Sequence, residues 1–253
     1  MKKALAFDIG GTKIYSTIID ETGNIIADID KFSTPKTIDE IKSILKSQII
    51  KHEDKVDIIA IATAGAVNNE NTAVIGSTGN LPKGYYTINF SELSNKKVFL
   101  ENDANAAAWA EYILGSSKGT NVSVMLTLGT GVGGGIIVNN KLLKGKAGAA
   151  GEMHFKLSCD KKRKCTCGSW DCFEAYASGT GLKLTAEEML NDKNVTTYDV
   201  HRESMTYSEF LDLNLSGNSK KRLFVYDYFH LGYGNVKTLF KSKTPCFAHF
   251  SKS

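Results

Sequence analysis

Only three prolines, two tryptophans and five cysteines occur in the 253 residues of this chain. It also lacks any run of 18 uncharged apolar residues, so no segment reads as a membrane-spanning helix. The N-terminus turns acidic at Asp8, too early for a signal-peptide core, and this predicts a cytoplasmic protein. Five cysteines cannot all pair, and three of them fall within eight residues as Cys165-Thr-Cys167-Gly-Ser-Trp-Asp-Cys172. In a cytosolic chain such crowding points to a metal site and not to a disulfide framework. Strong charge of one sign is missing too. The net charge is +4, which gives little support to a nucleic-acid partner. More than the whole excess lies after Asn214, where seven Lys or Arg face the single acid Asp227, so the rest of the chain is slightly acidic. Apolar residues are not scarce: at 42% they can build a sizeable core, which excludes a disordered chain.

Periodicity predicts an α/β chain. Ala4 to Ile9, Ile14 to Ile19 and Ile25 to Ile29 read as three short strands separated by Gly10-Gly11-Thr12 and Thr22-Gly23-Asn24. Thr37-Ile-Asp-Glu40 fits a capping box opening a helix with Ile38, Ile41, Leu45 and Ile49 on one face. Val56 to Ala62 is a continuous apolar run, expected of a strand covered on both faces. Val98 to Leu100 predicts another strand, and Ala104 to Leu114 an alanine-rich helix. From Asn121 the opening plan repeats: a strand over Val122 to Leu128, a turn over Gly129 to Gly135, a strand over Ile136 to Val138, and a tight turn at Asn139-Asn140. Two copies of one unit imply two similar lobes facing a cleft, divided as 1–118 and 119–253. A helical stretch follows from Ser178 to Asn191, and another is read over Leu223 to Phe240.

The first turn, Asp8-Ile9-Gly10-Gly11-Thr12-Lys13, is neither a Walker loop nor a dinucleotide fingerprint, because a β-branched strand follows it where those motifs need a helix. A glycine pair there lets backbone N–H groups approach an anion, and Asp8 could hold the Mg²⁺ of a nucleotide. A plain hairpin is the alternative. The second turn, with Thr130, Gly131, Val132, Gly133 and Gly134, repeats the Gly-Thr chemistry and favours phosphate binding by the pair. Asp103, at a strand-to-helix junction, reads either as a helix N-cap or as a general base accepting the proton of an attacking hydroxyl. Beside it, Asn102 could orient that hydroxyl. Cys165, Cys167 and Cys172 with His154 make a three-thiolate, one-imidazole set suited to structural Zn²⁺. Cys159 and Cys246 read as free thiols. Glu152 and Glu174 bracket the cysteine loop as acceptors for sugar hydroxyls, or as ordinary surface acids.

Together these motifs resemble those of the ROK family, a branch of the actin/hexokinase-like sugar kinases. The likeness rests on Asp8–Lys13, Thr63-Ala-Gly-Ala-Val-Asn68, Glu101-Asn-Asp-Ala-Asn105, Gly129–Gly135 and Cys165–Glu174, collinear from Lys3 to about Leu190. It implies an α/β fold of two actin/hexokinase-like (ribonuclease H-like) lobes around a central cleft, and ATP-dependent phosphorylation of a hexose or N-acetylhexosamine. In that resemblance Asp103 is the catalytic base. Asp8, Gly10, Gly11, Thr12 and Lys13 belong to the ATP·Mg²⁺ site with Thr130, Gly131, Val132, Gly133 and Gly134. Asn80, Asn102, Asp103, Glu152, His154 and Glu174 are sugar contacts, and His154, Cys165, Cys167 and Cys172 zinc ligands. A homodimer is implied as well.

Three departures stand out. Gly151-Glu152-Met153-His154 is one residue shorter than the family's Gly-Glu-x-Gly-His, and Asp171 occupies a position where the family favours glycine, a change expected to alter a turn. The family's C-terminal Gly-Gly-Gly segment, which flanks adenosine, is not read in this chain, so the second lobe is expected to be incomplete there. Two rival functions follow from the departures: a non-catalytic sugar-binding relic of a kinase, and a sugar-responsive transcriptional regulator. The second would lack the helix-turn-helix domain of the family's repressors.

Overall fold

The computed structural model describes residues 1–76, 81–153, 155–157 and 162–190. Asn80, His154, Cys159, Cys246 and the helix read over 223–240 lie outside the described residues. The chain forms two compact units, Met1–Met125 with Gly134–Glu152, and Leu126–Gly133 with the described part of Met153–Lys252.

The first unit is built on a five-stranded sheet. Strand β1 (Lys3–Ile9) pairs antiparallel with β2 (Lys13–Asp20), and β2 pairs antiparallel with β3 (Asp30–Ser33). On its other edge β1 runs parallel to β4 (Ile58–Thr63), which runs parallel to β7 (Val98–Asn102), giving the order β3-β2-β1-β4-β7. A small β5 (Ala66–Val67) and β6 (Val74–Gly76) hairpin follows β4. Alternation along β1 and β2 sends Leu5, Phe7, Ile9, Ile14 and Ile18 into the core. Helix α1 (Ile38–His52) adds Ile41, Leu45 and Ile49 from one face. Each of these aliphatic side chains contributes about 2 kcal/mol by leaving water.

Thr37 caps α1 as expected, but the Glu40 carboxylate meets the Thr37 hydroxyl and not its N–H as a full capping box would. Thr37 Oγ1 accepts the N–H of Glu40 at 3.4 Å and donates its own proton to the Glu40 carboxylate at 2.6 Å. Strand β4 seals one face with Ile59, Ile61 and Thr63, while Ile58, Ala60 and Ala62 are half-buried, so it is less enclosed than its apolar run predicts. The strand expected over Ile25 to Ile29 is not formed. The Asp20 carboxylate accepts the N–H groups of Thr22 and Asn24, tightening the turn. Only a single bridge, Ile19 to Ile25, follows before pairing resumes at β3. Ile25 and Ile29 consequently stay more than half exposed.

Strands β8 (Val122–Leu128), β9 (Val132–Val138) and β10 (Lys141–Leu142) make a three-stranded sheet in the order β10-β9-β8. Asn139 and Asn140 both take positive φ, 50° and 64°, as a two-residue hairpin turn requires. The turn read over Gly129 to Gly135 is shorter than expected, because β9 begins at Val132. Gly135 serves packing: a Cβ there would lie 2.4 Å from Ala108 Cβ of helix α2 (Asp103–Ile113) and 3.0 Å from Ala104 O. In the second unit α3 (Glu174–Ala177) and α4 (Gly179–Leu190) follow the cysteine loop.

Candidate active site

Parallel pairing brings Asp8 and Asp103 to one end of the sheet. Ile9 of β1 lies opposite Thr63 of β4, which lies opposite Asn102 of β7. Three C-terminal strand ends are therefore flush, with Asp8 and the Asn102-Asp103 corner two strand spacings apart, roughly 10 Å. Loops leaving such an edge are where α/β sheets bind ligands.

Strand β7 stops at Asn102 because its amide caps α2. Asn102 Oδ1 accepts the N–H of Asn105 at 3.0 Å, and its Nδ2 donates to Gly65 O at 3.0 Å. Gly65 sits at φ 98°, where a Cβ would strike Gly76 O at 2.5 Å. The N-cap role is thus taken by Asn102, and Asp103 becomes the first helical residue. Its Oδ1 accepts the N–H of Ala104 at 2.8 Å. Crowding by protein raises the Asp103 carboxyl from 3.8 to about 6, the charges of Asp8 and Glu152 push it further the same way, and the Ala104 hydrogen bond offsets part of the rise. Burial also raises Asp8. A carboxylate ionised at neutral pH yet basic enough to hold a proton near pH 6 is suited to general-base work.

In the first glycine turn Gly10 N–H donates to Lys13 O at 2.9 Å, and the Thr34 hydroxyl donates to Gly10 O at 2.7 Å. No hydrogen bond among the described residues engages the N–H groups of Gly11 and Thr12. They are the turn's available anion donors.

The second unit holds the other glycine turn. Gly129 N–H closes onto Gly131 O at 3.0 Å, and the turn's carbonyls are taken by α4: Gly179 N–H donates to Gly129 O at 2.8 Å and the Thr180 hydroxyl to Thr130 O at 3.0 Å. Val132 N–H donates to the Glu174 carboxylate at 3.0 Å. Gly131 makes room for that carboxylate, since a Cβ there would lie 2.6 Å from Glu174 Oε2. Thr166 also donates to Glu174, at 2.7 Å, tying the cysteine loop to the turn. Val132, Gly133 and Gly134 lie in β9.

The sulfurs of Cys165, Cys167 and Cys172 lie within 4.8 Å of one another, with Cys167 and Cys172 at 3.6 Å. Ligands bonded to a tetrahedral zinc at about 2.3 Å would sit roughly 3.8 Å apart. The donor set therefore fits a soft cation. Burial pushes the Cys165 thiol up to about 12 and raises Cys172 as well. A bound cation would reverse this, because the thiolate is the ligating form. Asp171 does more than alter a turn. It takes φ 57°, is fully buried, and accepts N–H groups from Lys162 and Arg163 at 3.0 and 2.9 Å and the Tyr176 hydroxyl at 2.7 Å. Aspartate tolerates the left-handed conformation that glycine adopts freely.

The structure thus gathers Asp8, Asn102, Asp103 and Glu152 in the first unit, and Thr130, Gly131, the three cysteines and Glu174 in the second. Sequence reading missed a polar hub at the base of the corner. Glu101 is bonded to Lys144 at 2.5 Å, accepts from Asn71 at 3.2 Å, and accepts the N–H of Asn102 at 3.1 Å and the Asn105 amide at 3.3 Å. Lys144 also donates to Asn71 Oδ1 at 3.0 Å. These partners lie up to 73 residues apart, and no local pattern announces them. The positive φ of Asn71, 59°, is the one trace, and asparagine alone does not reveal it.

Comparison with known proteins finds relatives of this chain. The chain is 38% identical over 207 residues to a glucokinase of Streptomyces coelicolor, covering 76% of this chain and 61% of the relative. It is 38% identical over 188 residues to an N-acetylmannosamine kinase of Yersinia pseudotuberculosis, covering 72% and 63%. The chain thus spans less than two thirds of these relatives' length. Among solved structures, a ROK family glucokinase from Streptomyces griseus, in complex with glucose and AMPPNP, superposes with a TM-score of 0.72 at 28% identity, over 94% of this chain and 80% of that one. The fold is the mixed α/β fold of the actin/hexokinase-like class. With the ROK family model matching residues 4–237, the chain belongs to the ROK family.

Proposed function

We propose that this protein phosphorylates a hydroxyl of a hexose or N-acetylhexosamine at the expense of ATP. The observation that carries the reading is Asp103. It opens α2 at the flush strand edge, its capping role is taken over by Asn102, and its carboxyl is raised to about 6 beside Asp8 and Glu152. The relatives named glucokinase and N-acetylmannosamine kinase support the substrate class.

Asp103 takes the proton of the sugar hydroxyl as its oxygen attacks the γ-phosphorus of ATP, and ADP leaves in line. Little covalent chemistry is asked of the protein, so positioning and charge stabilisation dominate. Glu152, and the second N–H and lone pair of the Asn102 amide, orient the sugar. Gly11 and Thr12 in the first turn, and Thr130 and Gly131 in the second, offer backbone N–H groups to phosphate oxygens. Asp8 would hold Mg²⁺, which neutralises phosphate charge when bound. Cys165, Cys167 and Cys172 would hold a structural Zn²⁺ that fixes the loop carrying Thr166 and, through it, Glu174.

The test is a coupled assay of ADP release across glucose, fructose, mannose, N-acetylglucosamine and N-acetylmannosamine. Sugar-dependent release with at least one of them is expected. Calorimetry showing hexose binding with no ATP binding or turnover would instead establish a sugar-binding relic.

A further inference from the structure

We propose that Lys144 is a positioning residue, whose ion pair with Glu101 locks the loop ending in Glu152 onto the corner that carries Asn102 and Asp103. The inference rests on the sugar-kinase reading for its consequence, and on first-unit geometry alone for its mechanism.

Residues 145–152 form a small closed loop. Ala150 N–H donates to Lys144 O at 3.1 Å across its neck, and Glu152 N–H donates to Ala149 O at 3.2 Å. Gly145 and Gly148 supply positive φ of 67° and 68° for the tight path. Asn69 Nδ2 donates to Lys146 O at 3.1 Å. Gly148 presses on β5, where a Cβ would lie 2.1 Å from Val67 O. At the root, Lys144 pairs with Glu101 and bonds Asn71.

Glu101 is the residue before Asn102, and its other oxygen accepts from Asn102 N–H and the Asn105 amide at the start of α2. One carboxylate therefore holds both the loop bearing Glu152 and the helix start bearing Asp103. Lys144 and Glu101 are each only about one-fifth exposed, 23% and 20%. The pair is then screened less than a surface pair, and losing one member leaves the other unpaired. The Lys144 ammonium bonds Glu101 and Asn71, neither of which is a proposed reacting group, so its effect passes through where Glu152 stands.

Three variants and two readouts test this. Lys144→Met keeps the aliphatic stem and deletes the charge; Lys144→Arg keeps the cation; Glu101→Gln keeps acceptors for Asn102 and Asn105. In the ADP-release assay, Lys144→Met should raise the hexose KM about tenfold with kcat within about threefold of wild type, because a misplaced sugar contact weakens ground and transition states alike. Lys144→Arg should restore KM to within about threefold. Glu101→Gln should match Lys144→Met. Amide hydrogen exchange over residues 145–152 should quicken in Lys144→Met and Glu101→Gln.

The proposal is overturned by a Lys144→Met protein whose KM and loop exchange stay within twofold of wild type. A loss confined to kcat, or a failure of arginine to restore KM, overturns it equally. Should wild type neither bind nor phosphorylate any hexose, the functional reading falls, and exchange over 145–152 still decides the positioning role.

Discussion

Replacing Asp103 by Asn should leave the protein more stable while removing its activity. The carboxyl is raised from 3.8 to about 6 in the folded chain, first by crowding and then by Asp8 and Glu152. Below pH 3.8 the group is protonated whether the chain is folded or not, and it has no bearing on stability. Between about pH 4 and pH 6 the unfolded chain releases its proton while the folded chain keeps it. The unfolded state then binds fewer protons, and stability falls as pH rises. Above pH 6 the full penalty is present. Asparagine retains the acceptor for Ala104 N–H and carries no charge, so it escapes that penalty. The Asp103 side chain keeps access to solvent, and screening reduces the gain to about 1 kcal/mol, or a melting temperature roughly 2–4 °C higher for a chain of this size. Thermal melts of both proteins at pH 4 and pH 8, with kcat measured at pH 8, make the test. The variant should be more stable at pH 8, indistinguishable at pH 4, and slower in kcat by about 10²–10⁴. An equal difference at the two pH values, or turnover close to wild type, would refute the reasoning.

Other outcomes follow from the same geometry. The kcat of the wild-type enzyme should climb with pH through about 6 as Asp103 ionises, and a flat profile from pH 5 to 8 would remove it as the base. Gly135→Ala should destabilise the first unit by about 1–3 kcal/mol in denaturant melts, because its Cβ would meet Ala108 at 2.4 Å; a neutral result would mean the strand glycine is not there for packing. Asp171→Ala should cost about 2–4 kcal/mol, since it strands the N–H groups of Lys162 and Arg163 while keeping a Cβ at φ 57°. Metal analysis should find one zinc per chain, lost in Cys165→Ser; full zinc content in that variant would discard the three-sulfur site.

Much of the architecture was legible because its signals are local. Thr37 and Glu40 announce α1, alternation in Lys13–Asp20 announces β2, and Asn139-Asn140 announces the β9–β10 turn, each through neighbours within four residues. The strand expected over Ile25 to Ile29 failed for a local reason that outweighs alternation: the Asp20 turn redirects the chain before pairing resumes. The glycines after Val132 were read as anion donors; they lie in β9, and the nearness of Ala108 to Gly135 depends on a helix some 30 residues earlier.

The amino-acid order by itself determined α1, α2, the strands β1, β2, β4, β7 and β8, the glycine turns, the three-cysteine cluster and the family likeness, because propensity, capping and spacing act over a few residues. Tertiary structure alone decided that Glu174 lies on Val132 N–H and that Lys144 and Asn71 meet at Glu101. Those outcomes are competitions among partners far apart in the chain. Strand register and burial settle which polar group reaches which, and neither can be read from either partner's neighbours.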